Sequence, residues 1–324
     1  MSDRRTRLSA VIAKIQPTLG TDSVPTGAAN AMLVSNMSIR PLVANNVDRA
    51  LLRKYLGASE QLVGTAYKEV SFEVELAGSG TAGVAPAWGP LLRGVGFAET
   101  LIATTRVDYT LISTAMEMLS IYAYKDGVRH ILLDAKGDWS LSAKVGEIPK
   151  LSVRFIGKDG SETANAIPTL TLSGWLTPQV VTDTNTADIV FGGTVSPTGA
   201  PAITGGTGAI TAGLELQGGN DVQFTPLIGG EPIDINNREI TGRIMLDELA
   251  AAEVTRMAAV RGNTLAAISM QHGTVATRKL LIHVPSAQLI EPGYEDVNGK
   301  LMQGYTIRAV PVSGDDELRI VTSF

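Results

Sequence analysis

Between Val70 and Leu76 the chain alternates without a break: Val70, Phe72, Val74 and Leu76 are apolar, while Ser71, Glu73 and Glu75 are polar. Successive side chains of a strand point to opposite faces, so this run buries one face only, the habit of antiparallel sheets. The strand-like pattern opens at Ala31 with Met32-Leu33-Val34 and persists through most of the sequence. A mainly β chain of 324 residues follows, and with it the problem of exposed sheet edges.

Three stretches break this rhythm. Val47–Leu56 reads as a helix that Asn45 or Asn46 can cap and Gly57 can close. Pro86–Arg93 has a proline near a first-turn position, although Gly89 and Pro90 keep it short or irregular. Asp247–Arg261 is the strongest, with acids in its first turn, arginines toward its last and Gly262-Asn263 as a stop.

Residues 1–26 read as an N-terminal arm, a short basic amphipathic piece followed by Pro17, Gly20, Pro25 and Gly27. Residues 27–176 then form a first β domain, 177–208 a Gly/Thr/Pro-rich connection in which Ile189-Val190-Phe191 can still be a strand, and 209–324 a second β domain. The two halves share an order of elements: strands, a helix, then strands. Ser120–Leu133 even lines up with Ala267–Leu281 by eye. The expected architecture is therefore a duplicated fold, two tandem β-sandwich or barrel domains each with a flanking helix, in preference to one large β domain.

Charge is unevenly spread. Residues 1–20 carry a net +3, 21–208 a net −3 and 209–324 a net −5. An acidic body argues against a protein that grips nucleic acid, since such binding comes from Lys and Arg neutralising phosphates, but it does not argue against one that lets DNA slide past. The absence of cysteine excludes disulfides, thiolate metal sites and cysteine nucleophiles. No apolar run is long enough for a membrane helix, and the apolar stretch Leu8–Ile15, interrupted by Lys14, is no signal peptide, so neither membrane insertion nor secretion by that route is expected.

One enzyme-like motif is present. Gly78-Ser79-Gly80-Thr81-Ala82-Gly83 is a literal G-x-G-x-x-G between a strand and a short helix, as a dinucleotide-binding fold would have it. The preceding strand alternates, however, where a central parallel strand would be continuously apolar, and Pro86 and Pro90 disturb the helix that would receive a pyrophosphate. A flexible glycine loop at a subunit contact is the better reading, and no cofactor is expected. His130, His272 and His283 are too few and too scattered for a metal site; His272 and His283 could meet across a hairpin, but satisfied strand histidines explain them more simply. Asp315-Asp316-Glu317 reads as a solvated turn, and Glu295-Asp296 adjoins the hairpin signal Asn298-Gly299. Glu73 and Glu75, on the polar side of their strand, would give negative charge to a pore wall if that strand lines one.

Several stretches resemble the major tail tube proteins of long-tailed, siphovirus-type bacteriophages and prophages. Thr21–Val34 and Phe72–Thr100 carry most of the likeness; Tyr122–His130, Lys136–Ser140, Leu214–Val222 and Asn237–Gly242 are similar to further parts of that family. The resemblance implies a structural, non-enzymatic virion protein whose β-sandwiches join between subunits into a barrel around a channel. It implies rings stacked through an N-terminal arm and long loops, a tape-measure protein in the lumen, tail terminator and tail-tip proteins at the ends, and double-stranded DNA passing without specific binding. Assembly in the bacterial host cytoplasm and residence in the virion tail go with it. A duplicated chain would build from three copies the ring that a single-domain chain builds from six. Arg4, Arg5 and Arg7 would dock the arm on the acidic face of the next ring. Two other readings stand beside this one: a decoration or baseplate protein of the same β type, and a nucleotide-cofactor enzyme using the 78–83 glycines.

Overall fold

The computed structural model describes residues 4–324. The first half comprises strand β1 (Ser9–Gln16), helix α1 (Gly27–Asn30), strands β2 (Ala31–Met32), β3 (Val34–Asp48) and β4 (Gln61–Glu75), and helix α2 (Gly89–Arg93). A hairpin of β5 (Phe97–Ile102) and β6 (Arg106–Leu111) follows, then β7 (Met118–Lys125), β8 (Val128–Lys144) and β9 (Lys150–Ala164). The second half begins with β10 (Ile189–Phe191), a small hairpin β11 (Thr194–Val195) and β12 (Ile203–Thr204), and β13 (Thr207–Gln217). It continues through the hairpin β14 (Val222–Phe224) and β15 (Ile233–Ile235), β16 (Thr241–Asp247), α3 (Ala250–Arg261), β17 (Leu265–His272), β18 (Leu280–Val297), β19 (Lys300–Ala309) and β20 (Arg319–Thr322). The fold is mainly β, and the strand pairs are antiparallel throughout. No helix among the described residues is long and apolar enough to cross a membrane.

Strand pairing runs in two circuits. In the first, β1 pairs with β2 and β7, β7 with β8, β8 with β9, β9 with β4 and β4 with β3, which follows β2 after the single residue Leu33. In the second, β10 pairs with β13 and β17, β17 with β18, β18 with β19, β19 with β16 and β16 with β13. Two seams join the circuits: β8 pairs with β13 from Ser140 to Lys144, and β6 pairs with β20. One contiguous hydrophobic core spans both, from Val11 and Phe72 to Ile244 and Ile320.

Some sequence expectations take a different form. Ser9–Gln16, inside the stretch expected to be an arm, is a strand in the sheet, with Val11 and Ile12 wholly buried. The apolar residues that looked like one face of a basic amphipathic piece are there because β1 is covered on both sides. Only residues before Ser9 can act as an arm, and the first three lie outside the described residues. Val47–Leu56 is not a helix. Val47 and Asp48 end β3, and the rest is the loop of the β3–β4 hairpin, away from any core; a helix of that length without a surface to pack on is marginal in water. The helix expected at Pro86–Arg93 shortens to α2, and that at Asp247–Arg261 begins at Ala250. Asn298-Gly299 forms the two-residue β18–β19 turn, with φ of 55° and 84° at the two positions.

Candidate assembly surface

Within the 16-stranded sheet, eight strands lie side by side in the order β3-β4-β9-β8-β13-β16-β19-β18, a continuous wall here called the eight-stranded sheet. A single line of register crosses it through Glu75, Lys150, Ser142, Glu215, Arg243, Thr306 and Ile290. One face is core: Val70, Phe72 and Val74 of β4, Trp139 and Leu141 of β8, Leu214 and Leu216 of β13 and Ile307 of β19 are all buried. The period-two alternation seen at 70–76 therefore recurs across the whole sheet, and its other face is polar.

That polar face carries charge of both signs, mostly paired. Glu69 accepts two hydrogen bonds from Arg154, each at 2.8 Å, and Arg40 approaches it at 3.4 Å; the Arg154 guanidinium holds its carboxyl below the usual range against the opposing effect of burial. Glu73 meets Lys150 at 3.3 Å and accepts from the Asn36 amide at 2.9 Å. Glu75 faces Lys150 in the register. Across the seam Lys144 reaches Glu215 at 2.7 Å, and Arg308 reaches Glu239 at 2.8 Å. Glu73 and Glu75 thus lie on one open face, within a band where lysines and arginines offset them.

The sheet has two unpaired edges. Among the described residues strand β3 pairs only with β4, and β18 beyond Leu289 pairs only with β19. Because the sheet has an even number of antiparallel strands, the two edge strands run in opposite directions. Each edge has a proline at a register shift, Pro41 between Arg40 and Val43 and Pro292 between Ile290 and Gly293, where a missing N–H interrupts no ladder. Open edges of this length attract another chain.

The other sequence candidates are used internally. Arg4 donates through Nε to the Asp126 carbonyl at 2.9 Å and through Nη2 to that of Lys125, folding onto the β7–β8 turn of its own chain, while Arg5 and Arg7 are exposed. The glycine loop is a seam between the two halves. Gly78 N–H donates to the Arg278 carbonyl at 3.3 Å, Gly80 to Thr277 at 3.3 Å and Gly83 to Ser323 at 3.1 Å. Amides so engaged cannot cradle a pyrophosphate, and α2 is a five-residue helix that begins only at Gly89. The subunit contact expected of this loop is thus an intrachain one in the structure.

His272 and His283 do not converge: His272 stands opposite Leu280, while His283 stands opposite Ser269. His272 bonds Thr186 Oγ1 at 2.8 Å and the Gln179 carbonyl at 3.0 Å, and His283 bonds Ser269 Oγ at 2.8 Å. The acids at 315–317 are more engaged than a solvated turn. Asp315 pairs with Arg238 at 2.6 Å and Glu317 with the same arginine at 3.2 Å, while Asp316 accepts from the Val312 and Ser313 amides. Among the described residues no group of three His, Asp or Glu side chains could hold a metal ion.

Sequence reasoning missed the β8·β13 seam and the crossing of the β5–β6 hairpin onto the second half. The strand, though not its partner, had a signal: Trp139, Leu141 and Ala143 alternate with Asp138, Ser140 and Ser142 up to the end of β8 at Lys144.

Comparison with known proteins adds one match. The family model for phage tail tube protein matches residues 5–317, nearly the whole chain. No curated protein matches it.

Proposed function

Because the chain belongs to the phage tail tube protein family, we propose that its eight strands from β3 to β18 are two adjoining sectors of a closed wall around the channel through which DNA leaves for the host cell. As a member of that family it is a structural component of the virion tail that assembles with itself into a tube. In the proposed ring, β3 of one copy pairs with the β18 edge of the next, antiparallel as the even strand count requires, and closure removes both open edges. The polar face becomes the lumen wall. The observation that carries this reading is the pair of unpaired, oppositely directed edges on a sheet with one buried and one polar face.

The ring takes three copies, since each chain already holds two equivalent sectors. The duplication is supported by the two pairing circuits, which match strand for strand: β1 with β10, β2 and β3 with β13, β4 with β16, α2 with α3, β7 with β17, β8 with β18 and β9 with β19. The fragments that align by eye, Ser120–Leu133 and Ala267–Leu281, fall in corresponding hairpins. In this account the β8·β13 seam is the intrachain version of the contact that β18 makes with the neighbour's β3.

Glu73 and Glu75 then face the lumen. With their cationic neighbours they make a wall close to neutral, which neither collects phosphate nor repels it strongly, and DNA slides without being held. Rings stack helically, with Arg5 and Arg7 as the basic contact to the next ring, since Arg4 is held on the β7–β8 turn of its own chain. A tape-measure protein fills the channel before DNA, terminator and tip proteins close the ends, and assembly takes place in the host cytoplasm, as in siphovirus-type tails. Negative-stain microscopy of the concentrated chain tests the assembly: rings or tubes are expected, and a species that remains monomeric at high concentration, as a decoration protein would, contradicts it.

A further inference from the structure

The polar face of the eight-stranded sheet is not bare along its whole length. Tyr67 of β4, Lys136 of β8 and Ile156 and Lys158 of β9 share that face, since Tyr67 stands opposite Lys158, and Glu69 and Lys136 both stand opposite Ile156. Over these residues lies the β14–β15 hairpin, which follows β13 and so comes from the second half of the chain. Phe224 packs on Tyr67 at 5.3 Å between ring centroids, and Asp234 pairs with Lys136 at 2.7 Å. Both hairpin strands lie against β8, and β15 also lies against β9. Ile233 of the hairpin is buried, and so is Ile156 on a face that is otherwise polar. The hairpin is therefore a second layer on the wall.

This layer is pinned at its base. Gly218 N–H donates to the Trp139 carbonyl at 2.8 Å, and Asn220 N–H donates to the Asp138 carboxylate at 3.0 Å. The Asn220 side-chain amide donates to the carbonyls of Val95 and Gly137 at 2.8 and 2.9 Å. Past Phe224 the chain leaves the wall: Thr225 to Gly230 are all exposed, Ile228 fully, and Leu227 N–H closes the tip on the Gly230 carbonyl at 2.8 Å. The second half has no such cover among the described residues, because on the polar face of β16 and β19 Arg243 and Arg308 are about half exposed. Each chain thus carries one hairpin for two sectors.

We infer that the β14–β15 hairpins are the narrowest part of the channel: three per ring, they project from alternate sectors and give a pseudo-sixfold wall a threefold bore. The inference rests on the reading of the polar face as the lumen wall. Three chains of eight strands, spaced about 4.8 Å apart and tilted by about 40°, enclose a backbone radius of about 24 Å. A second layer stands about 10 Å off the first, which leaves about 14 Å at the hairpins. Whatever passes meets the hairpins before it meets the wall. Residues 218–237 hold no Lys or Arg, three acids in Asp221, Glu231 and Asp234, and Pro, Leu, Ile and Gly at the tip. Such a surface offers phosphates no cation, so the hairpins centre a DNA duplex without holding it.

The chain has no cysteine, so one thiol placed on the wall reports access to the channel. Ser152 suits this purpose, because it stands opposite Glu73 on the uncovered part of the polar face. Tubes of Ser152→Cys are treated with maleimide-tipped polymers of increasing size. Labelling is expected to be faster in sheared tubes than in intact ones, since reagents enter by the ends, and to stop above a threshold size. Replacing residues 225–232 by Asn-Gly closes the hairpin in a two-residue turn and is expected to raise that threshold. Variant tubes with an unchanged threshold overturn the constriction. Labelling that ignores tube length instead places the face outside the tube and overturns the lumen reading itself. Should the shortened chain fail to assemble, an averaged cross-section of wild-type tubes decides: three inward projections at the level of Tyr67 support the constriction, and a bore of six equal sectors overturns it.

Discussion

Gly213 of β13 stands opposite Lys144 of β8, the first of five rungs that make one sheet of the two halves. Its φ is +137°, and a Cβ there would run into the Ala143 carbonyl, so the position excludes side chains on conformational and steric grounds. Gly213→Val is expected to destabilise the chain by about 1–3 kcal/mol, read as a lower thermal midpoint. An unchanged midpoint would mean that the seam contributes little to stability.

Helices α2 and α3 should respond unequally to truncation in the unassembled chain. Leu91→Ala in α2 removes a completely buried side chain and should cost about 2–5 kcal/mol in denaturant unfolding. Val254→Ala in α3, at 69% exposure, should fall within about 0.5 kcal/mol. Equal losses would show that α3 is packed within its own chain.

Arg106 ties the connection between the halves to the sheet. It is wholly buried, donates to the carbonyls of Ser196, Pro197 and Gly199, and meets Asp108 at 3.0 Å, where Arg319 also reaches at 2.7 Å. Arg106→Ala leaves the three carbonyls without their donor and Asp108 with one cation fewer, at a cost of about 3–5 kcal/mol. Limited proteolysis should then cut faster near residues 196–199 in the variant than in the wild type; resistance equal to wild type would argue against the tie.

Acid should weaken the fold in two stages. Burial, helped by the positive charge of Arg319, lowers the His283 pKa to about 4, and burial also lowers that of His272. The unfolded chain then binds more protons than the folded one between the ordinary histidine value of about 6.5 and the lowered one, so stability is full above pH 6.5 and falls toward pH 4. For His283 the loss is about 3 kcal/mol by pH 4. Below that, Glu69, held down by Arg154, loses its contribution as it protonates. Urea midpoints across pH 7 to 4 check the first stage: His283→Gln should flatten the slope, and an equally steep slope would remove His283 as its source.

Much of this fold was legible because burial of one face writes itself into a period of two. Val70–Leu76, the element order of the halves and the Asn298-Gly299 turn all follow from local chemistry. Strand pairing between distant segments leaves no such trace. Nothing in Ser140–Lys144 or Gly213–Gln217 names the other as partner, and the glycines at 78–83 look like a phosphate loop until the carbonyls of Thr277, Arg278 and Ser323 take their amides. Val47–Leu56 carries the start and stop marks of a helix, but those marks weigh tenths to a few kcal/mol and lose where no core lies beneath. Charge at a terminus usually reaches outward, but the β7–β8 turn offers Arg4 two carbonyls.

The central claim is a closed wall built from three chains, each giving the eight strands from β3 to β18. A cryo-EM reconstruction of the assembled tube viewed along its axis tests it most directly. The expected result is threefold rings with pseudo-sixfold symmetry, β3 of each chain paired with β18 of the next and the Glu73 face toward the channel. Six chains per ring, or a lumen lined by any other face, would contradict it.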